Sequence, residues 1–208
     1  MADIRLAVLL SGGGTSLQNL IDRVADGRLR AQIVLVVSSD PRAFGLERAR
    51  QAGIPTAVIE RKTCADDRDF SDRIFTLCRE ASADLACMAG FLKLLVIPDD
   101  FRQRVMNIHP ALIPSFCGHG YYGRRVHEAV LAAGVKVTGC SVHFADNEYD
   151  HGPIILQRAV PVLDGDTPES LGKRVFEQEC DAYPEAIQLF AQKRLIVEGR
   201  RVRYHRTV

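Results

Sequence analysis

The sequence predicts a single-domain α/β fold, a mostly parallel twisted sheet with helices on both faces. Three observations carry that expectation. Apolar runs of strand length alternate with amphipathic segments of helical period through the first 90 residues. The first run ends in a glycine cluster that opens a helix, the join a right-handed crossover needs. A chain of 208 residues with 47% hydrophobic side chains can bury one sizeable core.

Taken in order, IRLAVLL (4 to 10) is continuously apolar, as a strand covered on both faces requires, and Ser-Gly-Gly-Gly ends it. TSLQNLIDRVADG then places Leu17, Leu20, Ile21 and Val24 on one helical face. AQIVLVVSS (31 to 39) is the next strand, AFGLERARQAG a helix closed by Gly53, and PTAVIE a short strand. A helix from about Asp67 to Ala81 and a strand DLACMAG (84 to 90) complete the alternating part. Beyond Gly90, FLKLLVIPDDFRQR reads as a helix or turn broken by Pro98, and VMNIH as a short strand ended by Pro110. HEAVLAAG (127 to 134) reads as a helix, and VKVTGCSVHFAD and PIILQRAVPV (153 to 162) as strands. Thr167 can cap, and Pro168 suits the first turn of, a long helix reaching about Gln192. From Lys193 through Arg206 basic residues alternate with Leu195, Val197, Val202 and Tyr204, as on the solvated face of a terminal strand pair. There is no internal repeat and no linker.

The 27 basic and 26 acidic side chains nearly cancel, so nucleic acid is not an expected partner, since binding its phosphates needs clustered cations. No run approaches the roughly 20 apolar residues of a membrane span. MADIRLAVLLSGGG carries neither a basic leader nor a small-residue cleavage pattern, so no membrane partner and a cytoplasmic location are expected. Six cysteines, at 64, 78, 87, 117, 140 and 180, form no Cys-x-x-Cys pair and read as reduced thiols.

Three segments can carry chemistry. In SGGGTS (11 to 16) the glycines let the chain turn tightly and leave backbone N–H groups uncovered at a helix start, which favours a phosphate. The spacing is neither GxGxxG nor a P-loop, so it points to a mononucleotide-type phosphate; the same glycines would also suit a plain tight turn. In MNIHP, Asn107 and His109 stand two apart in a strand and project to one side, at the strand end where α/β sheets bind ligands. An amide there can hydrogen-bond an oxyanion and an imidazole can carry a proton, while a hydrogen-bonded core pair is the bland alternative. HFADNEYDHGP (143 to 153) runs into a loop with Asp146, Glu148 and Asp150. One of these acids could hold His109 protonated near neutrality, and spacing does not choose among them. His143, Asp150 and His151 lack the i, i+4 pairing or second ligand cluster of a metal site, so no metal is expected. His119, His127 and His205 read as solvated or loop histidines.

Together, SGGGTSLQNLID, DLACMAGFLKLL, MNIHPALIPSF, VKVTGCSVHFADNEYDHGPIILQRAVPV and EQECDAYPEAI resemble, in order from about residue 4 to 195, the folate-dependent formyltransferases of the phosphoribosylglycinamide group. The resemblance implies a Rossmann-like formyltransferase domain over 1–208, with 1–100 as the ribonucleotide phosphate-binding half and 101–208 as the folate-binding and catalytic half. It implies transfer of a formyl group from 10-formyltetrahydrofolate, as co-substrate, to the amine of 5'-phosphoribosylglycinamide in purine biosynthesis. Small-molecule substrates and a monomer or homodimer go with that activity.

Residue by residue, Asn107, His109 and Asp150 match the family's catalytic Asn, His and Asp. Gly14, Thr15 and Ser16 fall on its phosphate loop, with Ser16 where an Asn is usual, and Glu179 matches an acid near the ribonucleotide. Leu92, Lys93, Leu94 and Leu95 match the stretch whose backbone cradles the pterin, with Lys93 where an Arg is common. Arg68 matches a folate-side basic residue, and Asn107 with Asp146, Asn147, Glu148 and Tyr149 would line the same site. The resemblance also implies a cis bond between Ile113 and Pro114. CGHGYYGRR (117 to 125) is longer than the family's compact loop. Formyltetrahydrofolate deformylase resembles the same catalytic segments, but it carries a regulatory domain before them and typically a second His where Pro110 stands, which favours a transferase. Methionyl-tRNA formyltransferase has a tRNA-binding C-terminal domain with no counterpart after residue 195. A non-catalytic nucleotide-binding module is the alternative of a different class.

Overall fold

In the computed structural model, which describes residues 3–205, the apolar run of the first strand lies inside a parallel sheet. β1 (Ile4–Leu10) pairs with β2 (Ala31–Ser38), β2 with β3 (Thr56–Val58), and β1 on its other side with β4 (Leu85–Met88), all parallel. Leu6 to Leu10 are wholly buried, as a strand covered on both faces must be. The crossovers are α1 (Thr15–Ala25), α2 (Phe44–Gln51) and α3 (Asp67–Glu80). Each turns a narrow apolar stripe inward; α3 buries Phe70, Ile74, Phe75 and Cys78, and its Phe75 ring sits 4.8 Å from that of Phe101. Asp66 caps α3 by accepting from the Asp69 N–H at 2.8 Å. These elements belong to the first of two compact units, Met1–Met106 and Asn107–Val208.

The segment FLKLLVIPDDFRQR, which the sequence allowed to be a helix, is an irregular chain followed by one helical turn at Asp99–Phe101. Two serine hydroxyls account for it. The Leu92 N–H donates to Ser11 Oγ at 3.0 Å and the Val96 N–H to buried Ser71 Oγ at 2.8 Å, so these amides are held by side chains rather than by helix carbonyls.

β5 (Val105–His109) carries the chain into the second unit. There β6 (Val137–Phe144) and β7 (Ile154–Pro161) run antiparallel, β7 lies parallel to β9 (Arg201–Tyr204), and β9 is antiparallel to β8 (Leu195–Glu198). The terminal strand pair is therefore present; Arg206 of its basic stretch, like Met1 and Ala2 of the N-terminal reading, lies outside the described residues. The long helix α5 (Pro168–Ala191) starts where the sequence placed it, with Thr167 and Ser170 capping reciprocally and Pro168 in the first turn. The Ile113–Pro114 bond is cis.

One reading needs correction. The helix α4 (Arg124–Ala132) begins at Arg124, ahead of the expected residue 127, and His127, read as a solvated or loop histidine, lies on its inner face. His127 is buried, with its ring against α5 where Gly172 leaves room; an added Cβ there would meet His127 Cδ2 at 3.0 Å. His119 and His205 are exposed as expected.

All six cysteines are free. Burial pushes the thiols of Cys78 and Cys140 up to about 12, which keeps them uncharged and poorly nucleophilic. In the folded protein at pH 8, an alkylating reagent is expected to leave Cys78 and Cys140 unmodified by mass spectrometry, and to reach both after denaturation. No helix among the described residues is long and apolar enough to cross a membrane.

Candidate active site

At the end of β5, Asn107 and His109 project to one side, as residues two apart in a strand do. Asp150 reaches both. Its Oδ1 accepts from Asn107 Nδ2 at 3.0 Å, and its Oδ2 lies 3.4 Å from His109 Nδ1. The Gly118 N–H donates to the same Oδ2 at 2.9 Å, and the carboxylate is only 10% exposed. Of the three loop acids that spacing left open, Asp150 is the one beside His109. Asp146 lies 2.8 Å and Glu148 4.0 Å from His151 instead.

The Asp150 backbone has φ 52, a left-handed conformation that costs a non-glycine residue about 1 kcal/mol and aims its side chain back at β5. Two residues on, Gly152 packs so closely on the Phe144 carbonyl that an added Cβ would overlap its oxygen. The turn therefore needs glycine there to bring Asp150 into place.

Proton positions follow from the partners. A carbonyl only accepts, so His109 Nε2 carries a hydrogen for Phe116 O at 2.9 Å, and His143 Nδ1 one for Phe144 O, also at 2.9 Å. His143 Nε2 is then the acceptor for Asn107 Nδ2 at 3.2 Å. Both amide hydrogens of Asn107 are thus engaged, one by Asp150 and one by His143.

His143 is the site residue that sequence reasoning missed, since it entered only as a candidate metal ligand. The signal was present: Ser141 and His143 are a second polar i, i+2 pair inside an apolar strand, both buried. Ser141 Oγ donates to Ala111 O at 2.7 Å and accepts from the Ile113 N–H at 3.0 Å, fixing the chain just beyond His109. As for a metal set, His143, Asp150 and His151 do not converge among the described residues; the His151 ring bonds Asp146 and Arg200.

Electrostatics depart from the expectation that a carboxylate holds His109 charged. Burial drives the His109 ring below its ordinary range; Asp150 and the Phe116 carbonyl push it up without recovering that loss, and His143 adds to the fall. At neutral pH the free site holds a neutral His109. For Asp150, burial pushes the carboxyl up, but His143, His109 and the Gly118 N–H outweigh it, so it stays ionised below the usual carboxylate range.

In the first unit, the glycine loop opens α1 at Gly14, whose φ of 71 suits only glycine comfortably. No side chain caps α1 and no acid sits in its first turn, which leaves the leading N–H groups available to an anion. Thr15 is exposed and Ser16 half-buried. Leu92 and Lys93 are exposed, Leu94 half-buried and Leu95 buried. Arg68 is exposed in the first turn of α3 and makes no ion pair among the described residues.

In the second unit, Glu179 lies on α5, partly accessible at its surface but with its carboxyl enclosed, and burial pushes that carboxyl up to about 7. Asn147, Glu148 and Tyr149 are exposed on the loop after β6, with the Tyr149 ring edge-on to His119 at 5.4 Å.

Comparison with known proteins gives a consistent result. The formyl transferase family profile matches residues 4–187. A trifunctional purine biosynthetic protein adenosine-3 from Gallus gallus is 45% identical over 190 residues, covering 90% of this chain and 18% of that protein. The chain thus spans about a fifth of such trifunctional relatives. A phosphoribosylglycinamide formyltransferase from Haemophilus influenzae is 38% identical over 92% of this chain and 89% of its own length. The crystal structure of glycinamide ribonucleotide transformylase 1 from Symbiobacterium toebii superposes with a TM-score of 0.91 at 42% identity, covering 98% of this chain and 94% of that one.

Proposed function

The chain belongs to the formyl transferase family, and from that premise we propose that it transfers a formyl group from 10-formyltetrahydrofolate to the amine of 5'-phosphoribosylglycinamide, a step of purine biosynthesis. The observation that carries this reading is the Asn107–His109–Asp150 cluster, an amide and a neutral imidazole on one strand face, each beside the same ionised carboxylate.

The uncharged amine attacks the formyl carbon, negative charge grows on the formyl oxygen, and the bond to the folate nitrogen then breaks as that nitrogen takes a proton. His109 offers its Nε2–H to the oxygen in place of Phe116 O. As the oxyanion forms, the proton the attacking amine gives up is favoured on Nδ1 beside Asp150 Oδ2, so the imidazolium is stabilised more in the transition state than in the free site. That same proton passes on to the folate nitrogen as its bond to the formyl carbon breaks. Of the two Asn107 hydrogen bonds, the 3.2 Å one to His143 is the longer and the one the formyl oxygen competes for. Asp150 relays the proton from the amine toward the folate nitrogen. No step needs a metal; 10-formyltetrahydrofolate enters as co-substrate.

The phosphate is assigned to the backbone N–H groups of Gly14, Thr15 and Ser16, and Glu179 is placed near the ribonucleotide. The folate is assigned to Arg68, Leu92, Lys93, Leu94, Leu95, Asn107 and the loop Asp146, Asn147, Glu148 and Tyr149. Residues 1–100 are the phosphate-binding half and 101–208 the catalytic half of one domain. The protein works as a monomer or homodimer on small molecules in the cytoplasm.

The test is spectroscopic release of tetrahydrofolate from 10-formyltetrahydrofolate with and without the ribonucleotide. Release that requires the ribonucleotide is expected. Release without it would make the protein a hydrolase, and no release at all a non-catalytic binding module.

The phosphate assignment has its own test in Gly14→Ala. Position 14 has φ 71, and a Cβ there would lie 2.6 Å from Gly45 Cα, backbone that cannot step aside. The loop must shift, and KM for the ribonucleotide is expected to rise about tenfold, the scale of one or two lost charge-assisted hydrogen bonds, with a smaller change in kcat. An unchanged KM in initial-rate assays removes Gly14 from the phosphate site.

A further inference from the structure

We propose that His151 is a positioning residue, the centre of an Arg200–His151–Asp146 relay that ties the β8–β9 turn to the loop carrying Asp150. Arg200 Nη1 lies 2.6 Å from His151 Nε2. A guanidinium has no acceptor, so Nε2 must accept and the ring hydrogen sits on Nδ1, which donates to Asp146 Oδ2 at 2.8 Å. The neutral ring thus bridges a cation and an anion in one orientation. Glu148 Oε1, 4.0 Å from Nδ1, is the remaining acid facing it.

Asp146 is shared. Its Oδ1 accepts from the Glu148 N–H at 3.0 Å while Oδ2 holds His151, so this one carboxylate closes the loop across Asp150. The closure has a task, because Asp150 keeps a left-handed φ of 52 that an L residue leaves when nothing holds it. On its far side the chain is fixed by Gly152 against the Phe144 carbonyl. His151, between Asp150 and Gly152, reaches a different element, the turn after β8.

The catalytic consequence rests on the formyl-transfer reading, and the structural one does not. Arg200→Ala and His151→Ala are each expected to lower kcat about fivefold, the scale of one net hydrogen bond, with KM for the ribonucleotide unchanged. The double variant should be no slower than the slower single one, because both changes cut the same tie. His151→Gln, whose amide can accept from Arg200 and donate to Asp146, should restore kcat. Wild-type kcat in both single variants, or losses that multiply in the double, would overturn the relay.

Hydrogen exchange separates this from the reaction assignment. In Arg200→Ala the amides of residues 145–152 should exchange faster while those of β6 and β7 keep their protection. Unchanged exchange at 145–152 sinks the relay; faster exchange in a protein whose wild type transfers no formyl group sinks the reaction assignment alone.

Discussion

Alanine at position 109 is expected to lower kcat by about a hundredfold or more, the cost of one oxyanion donor. His109 supplies two things that no neighbour replaces. Its Nε2–H is held toward Phe116 O at 2.9 Å and is ready for a better acceptor, and its Nδ1 is the one basic atom facing Asp150 Oδ2. Removing the ring also leaves the Asp150 carboxylate in a largely closed site without one of the groups that hold it ionised, so its titration moves upward. The residual activity of His109→Ala should therefore fall at a higher pH than the Asp150 titration of the wild type. Near-normal kcat in single-turnover assays would remove His109 from the reaction, whatever its neighbours do.

The parts of this site that were legible in the sequence are those fixed by local geometry. Asn107 and His109 share a face because a strand has period two, and Pro110 marks where the strand stops. The glycine run after β1 marked a helix start without a side-chain cap, and that is what α1 has. From spacing Asp150 was legible only as one of three acids, and it took the family resemblance to single it out, because the contact depends on a left-handed residue and a glycine–carbonyl approach that no periodicity encodes. The direction of the His109 titration was misjudged for a related reason: a nearby carboxylate can be guessed from composition, whereas the depth of burial that outweighs it cannot. His127 was misread as solvated because nothing local shows that Gly172 of α5 will make room for its ring, and His143 was overlooked because its role depends on which nitrogen carries the proton. The chain after Gly90 could be read as a helix or a turn because nothing local shows that hydroxyls from Ser11 and Ser71 will take its amides.

Asp150→Asn is the substitution that separates charge from shape, and its kcat is also expected to fall about a hundredfold or more. The two side chains have the same size, but the hydrogen-bond pattern admits only acceptors. Oδ1 accepts from Asn107 and Oδ2 from the Gly118 N–H, so an amide NH2 placed at either point meets another donor. With the negative charge gone, His109 also loses the largest influence that opposes burial, so its ring titrates at still lower pH and gains its second proton less readily during attack. The sign is then fixed: an acid limb of kcat/KM that reports protonation of His109 in the free enzyme should move to lower pH in the variant, while the plateau drops. Stability should respond in a different range. A carboxylate held below its usual range stabilises the fold above the unfolded value of 3.8 and loses that contribution as pH falls through the folded value, so Asp150→Asn should flatten the acid side of the unfolding curve. If the plateau drops but the acid limb stays where it was, Asp150 acts on the substrates directly and not through His109.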